Sequence, residues 1–210
     1  MILVPMRYPF ASLGSIVLTG FEQSLQGAVA RNVAAKAIQR GANVAYLVES
    51  KQANAAVVAS MADLLHGLES DLTAINRVHI IDDVNEYRTA QALADAIRAK
   101  IAQPVIVIRD ASHFMIPLDL AQWLPIADEL ALILDAPVFT ATHHGPSGPP
   151  APKYTDIPAD EVWTATAGLN LALTLKRWAP RTEVVRLRGR VLHGGAYVFE
   201  NETAANVSGG

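Results

Sequence analysis

The 210-residue chain is 51% hydrophobic and 18% charged, with a net charge of −3 at pH 7. This composition excludes a disordered chain and is sufficient for a substantial buried core. The net charge argues against nucleic acid as a partner, the apolar runs are too short to span a membrane, and the absence of cysteine excludes disulfides and thiolate metal sites. We therefore expect a cytoplasmic protein without a signal peptide or membrane segment.

The first fifty residues predict a βαβ unit. The apolar run at 16–18 is typical of a strand buried on both faces, and an alanine-rich helix follows it. Gly41 marks the end of that helix, because glycine adopts the left-handed cap conformation without a Cβ penalty. A second apolar strand at 43–48 ends just before Glu49. The turn at Thr19 and Gly20 faces a helix N-terminus, which suits a phosphate, and an acid such as Glu49 suits a ribose hydroxyl.

The remaining elements continue the alternation of strands and helices. Apolar spacing predicts helices at 53–68, 86–101, 119–134 and 160–178, and strands at 77–81, 104–108, 136–141, 183–187 and 191–199. The segment 145–158 is rich in proline and glycine and predicts a long loop. The pattern indicates an α/β fold, a Rossmann-type doubly wound and mostly parallel sheet flanked by helices. We expect one domain over 1–200 and a flexible tail over 201–210.

Several segments, taken in order, resemble the short-chain dehydrogenase/reductase family. LTGFEQSLQGAVARNVAAKAIQRGANVAYLVES resembles the family's opening strand, glycine turn, first helix and second strand. Asp82, Asp83 and Val84 resemble its Asp-Val pair beside the adenine, and TATAGLNLALTLKRWAPRTEVVRL resembles its catalytic helix and the strand after it. The resemblance extends over most of 15–199 and implies NAD as the cofactor. The cofactor-binding residues it implies are Thr19, Gly20, Ser24, Gln26, Glu49, Asp82 and Asp110.

The catalytic residues of that family are absent. Its tyrosine and lysine fall on Val162 and Thr166, so general acid–base catalysis has no agent at these positions. In the glycine turn, Gln26 would place a side chain where the phosphate should lie. The resemblance therefore implies a non-catalytic member, with NAD binding weakened or lost. It would act as a scaffold, as a homo-oligomer, or as the partner subunit of an active homologue.

One alternative retains catalysis with relocated groups. In a working oxidoreductase, Thr142 would orient the substrate carbonyl, and Tyr154 or His143 would donate the proton. No metal site is predicted, because the adjacent residues His143 and His144 on a strand would point to opposite faces.

A second alternative assigns the same opening to a degenerate P-loop ATPase of the RecA or replicative-helicase type. On this interpretation Gln26 replaces the Walker lysine, Glu49 is the catalytic acid and Asp110 the metal-binding acid. Arg190 would be an arginine finger, and the proline- and glycine-rich loop would face DNA. The motif GxxxxGK[ST] is absent, and a phosphate cradle without its lysine and hydroxyl is badly compromised.

Overall fold

A computed structural model of the chain describes residues 13–20, 23–68, 71–112, 118–143, 153–169, 172–191 and 197–201. Its strands are β1 (Ser15–Thr19), β2 (Val44–Leu47), β3 (Val78–Ile81), β4 (Ile106–Asp110), β5 (Val138–Ala141), β6 (Glu161–Ala167), β7 (Ala172–Ala179), β8 (Glu183–Val191) and β9 (Tyr197–Asn201). Its α-helices are α1 (Gln23–Gln39), α2 (Lys51–Gly67), α3 (Ala90–Lys100) and α4 (Leu120–Leu134).

All nine of these strands form one sheet, in the order β3-β2-β4-β5-β1-β6-β7-β8-β9. The pairs from β3 through β6 are parallel, and the pairs β6–β7, β7–β8 and β8–β9 are antiparallel. Each of the strands β1, β2, β4 and β5 is fully buried, as expected where helices cover both faces of a parallel sheet. The predicted fold class, a mostly parallel α/β sheet flanked by helices, is confirmed.

Helices cover the two faces of the sheet in pairs. The core that contains α1 and α2 includes Tyr46 and Ile108, whereas the core that contains α3 and α4 includes Leu47 and Val107. We call these the α1 face and the α4 face. Because successive residues of a strand point to opposite faces, neighbouring polar residues at a strand end reach different sides of the sheet.

Local signals in the sequence end and begin the helices as expected. Gly41 has φ +83° just beyond α1, which is the left-handed conformation that favours glycine. Thr89 caps α3 by accepting a hydrogen bond from the backbone N–H of Ala92. Asp119 caps α4 in the same way, through the N–H groups of Ala121 and Gln122.

The helix predicted at 160–178 is wrong. The chain instead forms β6 and β7, which pair antiparallel from Val162↔Ala179 to Ala167↔Leu173. The segment is rich in threonine, valine and tryptophan, which favour strands, and its alanines and leucines also meet a helical spacing. The contact with β1 decides between the two, because β6 completes the hydrogen bonding of a strand that would otherwise lie at the edge of the sheet.

The order of the strands also departs from the dehydrogenase resemblance. In a Rossmann sheet β1 lies between β2 and the later strands, in the order 3-2-1-4-5-6. Here β5 and β4 lie between β1 and β2, so these two strands are three spacings apart, roughly 14 Å. No helix in the described ranges is both long and apolar enough to cross a membrane.

Candidate functional site

Polar residues gather where the parallel strands end at their carboxyl side. Thr19 ends β1, Arg109 and Asp110 end β4, and Thr142 directly follows β5. Glu49 lies two residues beyond β2. The carboxyl edge of a parallel sheet is where α/β proteins build their sites, so the sequence predicted the correct edge for these residues.

Asp110 lies on the α1 face and is saturated by groups of the protein itself. Its Oδ2 accepts hydrogen bonds from the Tyr46 hydroxyl at 2.8 Å and from Arg31 Nη1 at 3.3 Å. Its Oδ1 accepts from the backbone N–H of Ser112 at 3.2 Å and from the Ser112 hydroxyl. The Asp110 side chain is 1% exposed and that of Arg31 15% exposed. A carboxylate held in this way already has a cation beside it, the Arg31 guanidinium.

Tyr46 remains a hydrogen-bond donor at any ordinary pH. Burial raises the pKa of the Tyr46 hydroxyl well above its usual range, and the negative charge of Asp110 raises it further. The proton on Tyr46 therefore stays in place and is donated to Asp110.

The turn between β1 and α1 is filled by side chains. A Cβ on Gly20 would lie 2.3 Å from Gln26 Nε2, so the buried amide of Gln26 packs directly against this glycine. A Cβ on Gly27 would lie 2.4 Å from Ser112 Oγ, 3.1 Å from Arg31 Nη1 and 3.3 Å from Asp110 Oδ2. The first turn of α1 thus accommodates these groups only because residue 27 is glycine.

Glu49 and Arg109 form a second cluster, on the α4 face. Arg109 Nη2 donates to Glu49 Oε1 at 2.6 Å and to Asn85 Oδ1 at 2.9 Å, and Arg109 Nε donates to the same Glu49 oxygen at 3.2 Å. Both side chains of the ion pair are 5% exposed. Burial lowers the pKa of Arg109, and the charge of Glu49 raises it in part. Glu49 Oε2 is buried and has no hydrogen-bond partner in the described part of the chain.

An aromatic residue of α4 holds the Arg109 guanidinium in place. The guanidinium carbon lies 4.1 Å from the centre of the Trp123 ring, a cation–π contact. The indole N–H of Trp123 donates to Thr140 Oγ1 at 2.8 Å, which fixes the plane of the ring. A cavity of about 640 Å³ opens beside this cluster. Its polar and aromatic lining includes Glu49, Asn85, Arg88, Arg109, Asp119 and Trp123.

The three residues proposed as catalytic are placed apart from both clusters. Thr142 is buried, its backbone N–H donates to the carbonyl of Leu18, and its hydroxyl has no partner among the described residues. Burial lowers the pKa of His143, which follows it. Tyr154 packs against Trp178 with 5.1 Å between ring centres, and burial raises its pKa. Their catalytic roles stay a prediction.

The other residues expected to bind a cofactor are spread over the edge. Thr19 is buried and pairs with Thr164 of β6. Asp82 follows β3, the edge strand, where its Oδ1 accepts a hydrogen bond from Asn54 at 3.2 Å. The side chain of Ser24 lies outside the described residues. The roles assigned to these residues stay a prediction, as the dispersion of Glu49 and Asp110 to opposite faces shows no shared ligand.

Solved structures resemble the whole chain. FlaH, a flagellar accessory protein from Methanocaldococcus jannaschii, is 13% identical with a TM-score of 0.59, covering 91% of this chain and 90% of its own. An ATPase domain is 11% identical with a TM-score of 0.60, covering 83% and 80%. The RadB recombinase is 10% identical with a TM-score of 0.56, covering 85% and 96%. The fold is that of the RecA-type P-loop ATPases. No family model matches the chain. No curated protein matches it.

These likenesses overturn the short-chain dehydrogenase/reductase resemblance, and with it the predicted dehydrogenase-like function and NAD cofactor. The physical reason lies in the strand order. The family's dinucleotide runs from the first turn to the acid after the second strand, which are neighbours in a Rossmann sheet. Here Gly20 and Glu49 follow strands that lie three spacings apart. The similar segments reflect a shared βαβ opening and not a shared ligand. The second alternative, the degenerate P-loop ATPase, is better supported.

Several residues of both clusters were missed by sequence analysis. Arg31 and Ser112 complete the shell of Asp110, and Asn85 and Trp123 complete that of Arg109. One signal was available in the sequence. The run VIVIRD carries two adjacent charges at the end of the most hydrophobic strand, and such charges require partners on both faces of the sheet. The described residues contain no group of three or more His, Asp or Glu that could hold a metal ion.

Proposed function

We propose that the chain is a RecA-type domain that does not bind magnesium–ATP productively and does not hydrolyse it. The proposal rests on one observation, the way in which the protein's own groups occupy the surroundings of Gly27 and Asp110. The likeness to ATPases supports the fold on which the proposal is built.

The P-loop motif GxxxxGK[ST] provides a lysine for the phosphates and a hydroxyl for Mg²⁺. Counted from Gly20, the lysine position is Gln26 and the hydroxyl position is Gly27. An amide carries no charge to offset the phosphates, and the Gln26 side chain packs back onto Gly20. The residues present therefore do not fit a magnesium-bound nucleoside triphosphate.

The acid that would help to hold Mg²⁺ is also engaged. Asp110 is paired with Arg31, and the hydroxyls of Tyr46 and Ser112 supply its other hydrogen bonds. A guanidinium beside a carboxylate provides a fixed internal positive charge, so a divalent cation would have to displace it. Glu49, the other candidate acid, is paired with Arg109 on the opposite face of the sheet.

The test combines phosphate release with thermal unfolding. For the natural chain we expect no phosphate release from ATP above the rate of a protein-free control. We also expect the same melting temperature with ATP in the presence of Mg²⁺ and in the presence of EDTA, since a ligand of the native state alone must raise it. Phosphate release that depends on Mg²⁺, or a melting temperature raised by ATP only with Mg²⁺, would contradict the proposal.

A variant rebuilt toward the motif is the informative comparison. It combines Gln26→Lys and Gly27→Thr with Ser112→Ala and Arg31→Ala, which empty the space that a threonine at 27 requires. We expect this variant to gain a melting-temperature increase that depends on both ATP and Mg²⁺. The matched control carries Ser112→Ala and Arg31→Ala alone and should show no such gain.

Three predictions from the sequence remain proposals. The chain is expected to be cytoplasmic, to form a homo-oligomer and to have its domain boundary near residue 200. The exclusion of nucleic acid as a partner also stays a prediction, although one structural neighbour is a recombinase.

A further inference from the structure

The cavity on the α4 face lies at a place where α/β sheets commonly bind ligands. The strands β2 and β4 are neighbours and run parallel. After β2 the chain turns to α2 on the α1 face, and after β4 it turns to α4 on the other face. The two connections leave in opposite directions and open a crevice at the carboxyl ends of the strands, a topological switch point.

The floor of this cavity is buried and carries an unsatisfied acceptor. Glu49 and Arg109 come from the ends of β2 and β4, and each side chain is 5% exposed. Arg109 uses only one oxygen of the Glu49 carboxylate, and Oε2 is left buried without a partner in the described ranges. A buried carboxylate oxygen without a donor is costly, and a ligand donor would remove that cost.

The walls and the rim indicate the rest of the ligand. Val84, Ala111 and Trp123 are buried and give the cavity an apolar wall, whereas Arg88 and Gln122 are exposed at the rim. The volume of about 640 Å³ lies within the range of small-molecule sites. Convergent polar groups on an apolar wall, at this depth and size, are typical of a binding site.

We propose that this cavity binds a small, largely apolar molecule that carries an amine or amidine group. The N–H donors of that group bind Glu49 Oε2, and its apolar part lies against Val84, Ala111 and Trp123. Arg109 holds the carboxylate in position through Oε1, and Trp123 holds Arg109. The site is on the opposite face of the sheet from Gly27 and Asp110, so it does not depend on the proposed lack of ATP hydrolysis.

Benzamidine is a suitable probe, because its two N–H groups match a carboxylate edge and its ring matches the apolar wall. Its binding is followed by ¹⁵N NMR, using the indole N–H signal of Trp123, which is assigned from the Trp123→Phe variant. We expect saturable binding on the order of 1 mM, given the small size of the probe. Benzoate, which carries an acceptor in place of the donors, should not bind.

Two variants locate the binding. Glu49→Gln replaces the acceptor charge by an amide and should weaken benzamidine binding roughly ten- to hundred-fold. Gln122→Trp fills the mouth from an exposed helix position without touching the ion pair, and should abolish binding even if Glu49→Gln folds poorly. Ala121→Trp is the matched control, because Ala121 is exposed on the same turn of α4 and does not line the cavity.

Each result decides the question. Binding that is lost in Glu49→Gln and in Gln122→Trp, and retained in Ala121→Trp, supports the site. The proposal is overturned if Trp123 shows no response up to about ten times the expected dissociation constant. Equal affinity in Gln122→Trp and the natural chain, or benzoate binding as tightly as benzamidine, also overturns it. Since no nucleotide is present, none of these outcomes bears on ATP hydrolysis.

Discussion

Substituting Gly27 by alanine tests the packing around Asp110 directly. The new Cβ would lie 2.4 Å from Ser112 Oγ, which is closer than such atoms approach in proteins. Arg31 Nη1 at 3.1 Å and Asp110 Oδ2 at 3.3 Å are tight but tolerable. The Ser112 hydroxyl must therefore rotate away, and in doing so it gives up its hydrogen bond to Asp110.

The structure sets the size of the effect. Losing a hydrogen bond to a buried charged group costs roughly 1.5–3 kcal/mol of unfolding free energy. Alanine in place of glycine inside a helix returns about 0.5–1 kcal/mol, since α1 includes position 27. Gly27→Ala should therefore destabilise the protein by about 0.5–2.5 kcal/mol. In a Ser112→Ala background the obstacle is absent, and the same substitution should be neutral or stabilising by up to about 1 kcal/mol.

Urea unfolding of the four proteins of this double-mutant cycle measures the coupling, which we expect to be about 1.5–3 kcal/mol. Gly41→Ala is the matched control, because its Cβ meets nothing within 4 Å while its φ of +83° is strained for alanine. It should cost about 1 kcal/mol in both backgrounds, without coupling to Ser112. A cost for Gly27→Ala that is the same with and without the Ser112 hydroxyl would refute the proposed packing.

Two further substitutions address the outer parts of the fold. Asn32 is buried in α1 and joins it to β9, donating to the carbonyl of residue 197 at 2.6 Å and accepting from the N–H of residue 199 at 3.0 Å. Asn32→Ala should cost about 1–3 kcal/mol and accelerate amide exchange in β9 more than in β2, whereas Asn54→Ala on α2 should leave β9 exchange unchanged. Because burial lowers the pKa of His143 below its usual 6.5, the unfolded chain takes up this proton first as the pH falls. Urea midpoints should therefore decline below about pH 6.5, and less steeply in His143→Gln, while the exposed His66→Gln control should leave the slope unchanged; an unaltered slope in His143→Gln would count against this role.

Helices with a clear boundary signal could be predicted from the sequence. The apolar stripe of α3 and the caps at Thr89 and Asp119 are local features, and so is the glycine that ends α1. Each acts within one or two turns of the chain, so the sequence of that stretch contains the information that forms it. The predictions for α2, α3 and α4 agree with the structure within a few residues at most termini.

The segment 160–178 failed because its local signals conflict. Leu173 and Leu175 alternate with more exposed residues in β7, as in a strand with one buried face, yet alanines and leucines also recur at helical spacing. What decides the structure is a partner more than 140 residues earlier in the chain. The edge of β1 accepts β6 as a parallel neighbour, and β7 then pairs with β6. Such a long-range pairing leaves no trace in a local pattern.

The sequence by itself determined that this is an α/β protein whose strands are buried, whose first unit is βαβ, and whose polar residues lie at the carboxyl ends of the strands. Those properties follow from hydrophobic period, helix caps and turn residues, all of them local. Only the tertiary structure decided that β5 and β4 separate β1 from β2, and that Asp110 and Glu49 face opposite sides. Strand order is a choice among pairings of similar local stability, made by how the whole set of helices and strands packs, and it decides which residues share a site.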